Sequence, residues 1–173
     1  MKKLFLFFAL FFTINAISFA QTKEETINWL KEKLEKCLVG GYAGWSRSGN
    51  EPWVPYSKII NIKLESIDAC VIVISYSYYH LDRKEITSND RATLPTSNLD
   101  IKEFKPEMDS RYYSFSYSAE VIKIDDLTKG ETRFDSRIFG RIEIANKEED
   151  IRSRIEKAIK HLATFCPQKK ETF

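Results

Sequence analysis

The hydrophobic period of this chain changes twice along its length. Apolar residues recur at three- and four-residue steps over 22–38 and again over 151–166, which is typical of amphipathic helices. Between these two segments the alternation has a period of two, which is typical of strands with one buried face. Strands joined by short turns, with helices only at the ends, predict an α+β domain with a mainly antiparallel sheet.

The first helix has clear start and stop signals. Thr22 and Glu25 have the spacing of a capping box, in which each side chain accepts a hydrogen bond from the other residue's amide. The apolar stripe that follows consists of Ile27, Leu30, Leu34 and Leu38. Gly40 and Gly41 are expected to end this helix, because glycine takes the left-handed position past a helix without steric cost.

The last helix repeats this arrangement. Asn146 followed by Glu149 is a second capping signature, and Pro167 blocks continuation at the far end. Its apolar stripe consists of Ile151, Ile155, Ala158, Ile159, Leu162 and Cys166. This stripe is expected to pack over one side of the sheet.

Strand patterns fill the region between the helices. Ile60, Ile62 and Leu64 alternate with polar residues, and a turn is expected over Glu65–Asp68. The segment Cys70–Tyr79 begins apolar on both faces, as a central strand does. A further strand is expected from an alternation that places Tyr113, Phe115, Tyr117, Ala119 and Val121 on one face.

Two short strands are expected after these, over Arg133–Phe139 and Arg141–Ile144. They follow a turn over Asp125–Glu131 that contains Gly130. The architecture predicted from all these elements is a curved sheet or half-open barrel, with an N-terminal helix and a C-terminal helix packed on it.

The first 20 residues have the pattern of a secretory signal peptide. Lys2 and Lys3 precede the apolar run Leu4–Phe12, and Ser18 and Ala20 supply the small residues of a cleavage site. An uncleaved anchor is the alternative, but the apolar run breaks well short of the ~20 residues that a spanning helix needs. We expect cleavage after Ala20, a periplasmic or extracellular location, and no membrane span in the processed protein.

Residues 21–173 have the length of a single domain, and no linker or internal repeat divides them. Two of the 27 Lys and Arg residues lie in the leader, and the chain has 25 Asp and Glu residues, so the processed protein is close to neutral. Nucleic-acid binding relies on phosphate neutralisation by clustered cations. The charge balance therefore excludes nucleic acid as a partner.

Three cysteines, Cys37, Cys70 and Cys166, remain after the leader. An oxidising compartment permits one disulfide among three possible pairings, and the alternative is that all three thiols are core residues. No C-x-x-C motif is present, and metal sites need several convergent ligands. We expect no bound metal and no cofactor.

Catalytic residue types are few and poorly spaced. His80 and His161 stand in no ligand or triad spacing, and we interpret them as boundary residues. Asp125 and Asp126 precede a turn, where such residues usually bond their own backbone, so a calcium site there is the less favoured alternative. Glu120 is the other carboxylate that a catalytic cleft could use.

The segment Tyr42–Tyr56 concentrates large aromatic residues among glycines and prolines. Within it, Trp45, Arg47, Trp53 and Tyr56 have the composition of interface hot spots, so we predict a ligand-binding surface there. The alternative is a hairpin whose aromatic rings cover the sheet. A second aromatic group is better explained by sheet packing and consists of Tyr76, Tyr78, Tyr112, Tyr113 and Tyr117.

Several segments together resemble small exported proteins of unknown function from Bacteroidota-type bacteria. They are the leader, the Thr22–Leu38 helix, the Ile67–Ile74 strand, the Thr93–Leu99 segment with its Leu-Pro, and Arg154–Leu162. The resemblance implies export and an architecture like that of pleckstrin-homology domains. It supplies no catalytic residues.

The sequence predicts a non-catalytic exported binding module. Its ligand would be a protein, peptide, glycan or apolar molecule held by the aromatic segment or the open side of the sheet. The alternatives are an enzyme whose site the sequence does not reveal and a structural component of the cell envelope.

Overall fold

The computed structural model describes residues 21–52, 54–104, 112–136, 142–145 and 150–167. Two helices, α1 (Lys23–Cys37) and α2 (Ile151–Ala163), flank the strands. The strands are β1 (Leu38–Gly40), β2 (Tyr42–Ser46), β3 (Val54–Ile67), β4 (Val71–His80), β5 (Glu85–Pro95), β6 (Asp100–Phe104), β7 (Tyr112–Ser116), β8 (Ile122–Asp126), β9 (Glu131–Asp135) and β10 (Ile142–Ala145).

All strand pairs in the described part are antiparallel. One sheet has the order β2-β3-β4-β5-β8-β9 and curls into a half-barrel, and the other has the order β1-β10-β7-β6. The predicted α+β class, with a curled antiparallel sheet and a helix at each end, is confirmed. No helix in the described ranges has both the length and the apolar character needed to cross a membrane.

The core lies on the inner face of the half-barrel, where the two helices pack. Ile72 and Ile74 of β4 alternate with outward residues, and Leu94 and Ile124 join them from β5 and β8. The predicted helical stripes are confirmed for the buried residues Leu30, Leu34, Ile151, Ile155, Ala158, Ile159 and Leu162. Each buried Leu or Ile contributes about 1.5–3 kcal/mol relative to an exposed one.

The α1 helix starts as predicted but ends earlier. The Thr22 hydroxyl accepts from the Glu25 amide at 3.2 Å, and the Thr22 amide donates to the Glu25 carboxylate at 2.8 Å. The helix stops at Cys37, because Leu38 opens β1 and pairs with Ile144 of β10. The prediction that Gly40 and Gly41 terminate the helix is therefore wrong.

Gly40 has a different role, at the junction of the two sheets. A Cβ atom on Gly40 would collide with the carbonyl group of Ile59 in β3. The Ile59 amide donates to the Gly41 carbonyl at 2.9 Å. The close approach of the two backbones accounts for a residue without a side chain at this position.

Two strand predictions need correction. In β3, Asn61 has a left-handed φ of 54° and the register shifts between Ile60 and Lys63, so Ile59 and Leu64 are the buried residues. The strand also continues to Ile67, past the predicted start of the turn. The bulge shifts the alternation of the strand by one residue, so Ile59 before it and Leu64 after it both face the core.

The predicted strand through Val121 was too long. β7 ends at Ser116, and Ala119 and Val121 are exposed. The Tyr117 amide bonds to the Ser136 carbonyl at 2.8 Å instead of continuing a ladder. Of the two short strands expected next, β9 and β10 lie near their predicted positions, and residues 137–141 lie outside the described part.

The α2 helix begins at Ile151. Asp150 precedes it with a left-handed φ of 61° and forms no side-chain cap. The predicted capping residues Asn146 and Glu149 lie outside the described residues. The helix ends at Ala163, so Cys166 lies beyond it and not on its apolar stripe.

Candidate functional site

The predicted binding segment spans β2, the following loop and the start of β3. The backbone of Trp45 lies in β2 and pairs with Pro55, while Arg47 is exposed in the loop. Trp53 and the Trp45 side chain lie outside the described part of the chain. The role of the two tryptophan rings in binding therefore stays a prediction.

Tyr56 is fixed by its neighbours although 41% of its surface is exposed. Its ring lies over Gly44, where an added Cβ would come within 2.5 Å of the ring atom Cζ. Its ring centroid is 6.0 Å from that of His80, and its carbonyl accepts from the Leu81 amide at 2.9 Å. Tyr56 is thus held at the end of the sheet beside the β4–β5 turn.

A row of side chains crosses four strands at the same end of the sheet. In direct register, Tyr42 of β2 faces Lys58 of β3, Lys58 faces Tyr79 of β4, and Tyr79 faces Ile86 of β5. Directly opposed residues in an antiparallel ladder point to the same face. The row therefore spans three strand spacings, about 14 Å, on the outer face.

Much of this row is in contact with solvent. Tyr42 is 49% exposed and Ile86 is 50% exposed. The Lys58 ammonium lies 5.3 Å from the Tyr79 ring centroid, in cation–π geometry. The row therefore exposes apolar side chains at both of its ends and carries one positive charge between them.

Val54 adds to the same end of the sheet, with 58% of its surface exposed. We call this region the aromatic end and define it by Tyr42, Val54, Tyr56, Tyr79 and Ile86. Four of these are among the eight large hydrophobic residues exposed in the described part of the chain. Several exposed apolar side chains at one end of a sheet are typical of interaction sites.

Lys58, Tyr79 and Ile86 were absent from the predicted site. The alternation in β4 could have identified Tyr79. Tyr76 and Tyr78 face the interior, so Tyr79 lies on the opposite face of the strand. The partners across the strands depend on register, which four separate segments determine together.

An ion pair between a buried carboxylate and a half-exposed guanidinium lies on the inner face of the half-barrel. Asp90 of β5 is 1% exposed, and its Oδ2 atom accepts from the Arg133 guanidinium at 2.8 Å. Tyr76 and Asp126 are its cross-strand neighbours. The Asp90 Oδ1 atom has no hydrogen-bond partner among the described residues. Desolvation by burial acts to lower the pKa of Arg133, but the hydrogen bond and the charge attraction to Asp90 together outweigh it, so the pKa is raised.

Each of the two histidines interpreted as boundary residues contacts a backbone group, and Asp126 binds its own turn. The His80 Nδ1 atom accepts from the Arg83 amide at 3.3 Å, and the His161 Nε2 atom is 2.8 Å from the Gln21 carbonyl oxygen. Asp126 accepts from the amides of Thr128 and Lys129 in its own turn. The turn interpretation of Asp126 is confirmed.

Asp125 lies on the opposite face from Asp126 and belongs to a surface network. Its carboxylate accepts from the Thr132 hydroxyl at 2.6 Å and from Lys123 at 2.9 Å. These hydrogen bonds lower the pKa of Asp125. No group of three or more His, Cys, Asp or Glu residues in the described ranges is arranged to hold a metal ion.

Comparisons with protein-family models, with curated proteins and with solved structures found no match.

Proposed function

We propose that this protein is an exported, non-catalytic binding module that contacts a protein partner through the aromatic end. The observation that carries the proposal is the Tyr42–Lys58–Tyr79–Ile86 row, which keeps apolar side chains in solvent across four strands. Burying such a row in an interface gains about 25 cal/mol per Å² of apolar area. Tyr residues are also enriched at the centres of protein interfaces.

The composition of the aromatic end favours a protein over a glycan. Val54 and Ile86 are aliphatic and offer neither a flat ring for a sugar face nor a hydrogen-bonding group for a hydroxyl. They do match the apolar side chains of another protein. The Lys58 ammonium, held over Tyr79, adds one charge that an acidic side chain of the partner can approach.

Contact through side chains is better supported than strand addition to β2. The β2 pairing with β3 shifts register on both sides of Gly44. Such irregularities interrupt the straight row of backbone groups that an added strand would need. We therefore assign recognition to the outer face near β2 rather than to the edge of β2.

Export is part of the same proposal. The leader pattern over residues 1–20 supports it, and so does the disulfide between Cys70 and Cys166, since such bonds persist in oxidising compartments. Amino-terminal sequencing of protein recovered from the periplasm or medium should begin at Gln21. A recovered chain that still begins at Met1 would contradict cleavage.

Photo-crosslinking in the producing cell tests the surface directly. Benzoylphenylalanine replaces Tyr42 or Ile86, one at a time, and the matched control replaces Phe134, which is 59% exposed on the strand β9 at the far side of the sheet. We expect one protein adduct of the same mass from positions 42 and 86, and not from position 134. Ile86→Asp should abolish the adduct from position 42 without lowering the melting temperature.

The outcomes separate the candidate partners. An adduct of equal yield from position 134, or none from positions 42 and 86, would contradict the proposal. A carbohydrate adduct would show that the partner is a glycan and not a protein. Trp45→Ala and Trp53→Ala extend the test: rings on the surface leave the fold intact, whereas rings in the core cost about 3–5 kcal/mol.

A further inference from the structure

The residue that follows the proposed cleavage site is a glutamine. Cleavage after Ala20 gives Gln21 a free α-amino group. An amino-terminal glutamine carries a nucleophile and an amide that can react with each other through a five-membered ring. In the uncleaved chain this reaction is blocked, because the nitrogen of Gln21 belongs to the planar peptide bond with Ala20.

The structure leaves the reacting groups of Gln21 unrestrained. Gln21 is exposed, and its side-chain amide forms no hydrogen bond with the described residues. Its carbonyl oxygen, in contrast, lies 2.8 Å from the Nε2 atom of His161. The next residue, Thr22, donates its amide to the Glu25 carboxylate at 2.8 Å. Folding therefore fixes the carbonyl side of Gln21, while the side chain stays free to meet the amine.

The surface beside Gln21 has room for the ring that such a reaction forms. Gln21 lines a depression of about 380 Å³ between α1 and α2, together with Trp29, Ala158 and His161 among others. A five-membered lactam has about the size of a proline ring, so it occupies only part of this space. Ring closure therefore requires no displacement of the two helices.

The local charges favour a neutral group at this position. Gln21 directly precedes Thr22, the N-cap of α1, where the helix dipole is positive. Lys157 of α2 lines the same depression and forms no ion pair with the described residues. The Glu25 carboxylate, a charge of opposite sign, is already hydrogen-bonded to the Thr22 amide. Conversion of an α-ammonium group into a lactam nitrogen removes an unfavourable positive charge from the start of α1.

We infer that Gln21 becomes pyroglutamate after the leader is removed, an inference that rests on the export proposed above. The neutral α-nitrogen attacks the side-chain Cδ atom, so an N–Cδ bond forms and the bond from Cδ to the amide nitrogen breaks. The α-nitrogen loses one proton, the leaving nitrogen gains one, and ammonia departs. The reaction consumes no oxidant, reductant or other co-reactant.

Cyclisation changes only one end of the residue. The backbone carbonyl of Gln21 is not consumed, so its contact with His161 persists. The product lacks the free α-amine that aminopeptidases require. The exported protein would then resist digestion from its amino terminus.

Tandem mass spectrometry of the amino-terminal peptide tests the inference. The full chain, with its leader, is produced in an exporting bacterium, and the protein is recovered from the periplasm or medium and incubated at neutral pH. We expect a peptide that begins at residue 21 and is lighter by one ammonia, about 17 Da, than the uncyclised form. A peptide that begins at residue 21 with its full mass would overturn the inference and leave export intact. A peptide that begins at Met1 would contradict both.

Gln21→Asn provides the matched control. Asparagine carries the same amide on a side chain one carbon shorter, so the same attack would form a strained four-membered ring. We expect this variant to keep its full mass and to lose amino-terminal residues when it is treated with an aminopeptidase, whereas the unmodified protein loses none. Equal loss of ammonia in the two proteins, or equal digestion of both, would overturn the inference.

Discussion

Cys70 and Cys166 form a disulfide that joins the turn before β4 to the segment after α2, across 96 residues of sequence. The Cys70 carbonyl also accepts from the Thr96 amide at 2.8 Å, so its turn is fixed to the end of β5. The bond therefore fastens the C-terminal helix to the half-barrel. Cys37 is a buried core residue outside the disulfide.

Loss of this disulfide should destabilise the fold. A closed loop of this length restricts the unfolded chain, and removal of such a bond typically costs about 2–5 kcal/mol. Urea denaturation of the Cys70→Ser/Cys166→Ser variant should show this decrease in the free energy of unfolding. Alkylation after denaturation should label one cysteine without reduction and three with it. Three labelled cysteines without reduction would contradict the pairing.

The Asp90–Arg133 pair provides a second test of stability. Arg133→Gln leaves the Asp90 carboxylate buried without its cation, and because the Arg133 side chain is 45% exposed we expect a loss of about 1–3 kcal/mol in the free energy of unfolding. The matched control is Arg91→Gln, which removes a surface pair with Glu65 and should cost less than about 1 kcal/mol. Equal losses in urea denaturation would show that burial of Asp90 has no special effect.

Local sequence patterns predicted which helices and strands form better than they predicted where each element begins and ends. The Thr22–Glu25 capping box and the α2 stripe depend on residues within a few turns of one another, and both are confirmed. Leu38 fits a helical stripe equally well, yet it lies in β1 because Ile144, more than 100 positions away, pairs with it. Propensity is a weak guide where such tertiary pairing competes.

Sequence analysis predicted less of the candidate site than of the fold. Tyr56 was identified from composition, and it lies at the aromatic end as an exposed residue. The row from Tyr42 to Ile86 depends on three consecutive strand registers, including a bulge beside Tyr79. A shift of one residue in any of them would move a side chain to the other face. The pairing of Cys70 with Cys166 likewise depends on where the sheet places the end of α2.

Tyr117 should make the fold sensitive to alkaline pH. Its side chain is buried, its hydroxyl donates to the Pro95 carbonyl, and burial raises the pKa of the phenol. An unfolded chain releases this proton near pH 10, whereas the folded chain retains it. Above that pH the unfolded state binds fewer protons, so the stabilisation present below pH 10 is lost as pH rises.

Urea denaturation at pH 9, 10 and 11 measures this effect. Tyr117 alone should lower the free energy of unfolding by about 1.4 kcal/mol per pH unit above pH 10. Tyr117→Phe removes the ionisable group, so the free energy of unfolding of this variant should fall less steeply with pH, by about 1.4 kcal/mol per pH unit. The variant should also be less stable at pH 9, because the Pro95 carbonyl loses its hydrogen-bond donor. Tyr42→Phe is the matched control, since it removes a phenol from the surface. Equal slopes for the unmodified protein and Tyr117→Phe would show that the buried phenol does not control the alkaline transition.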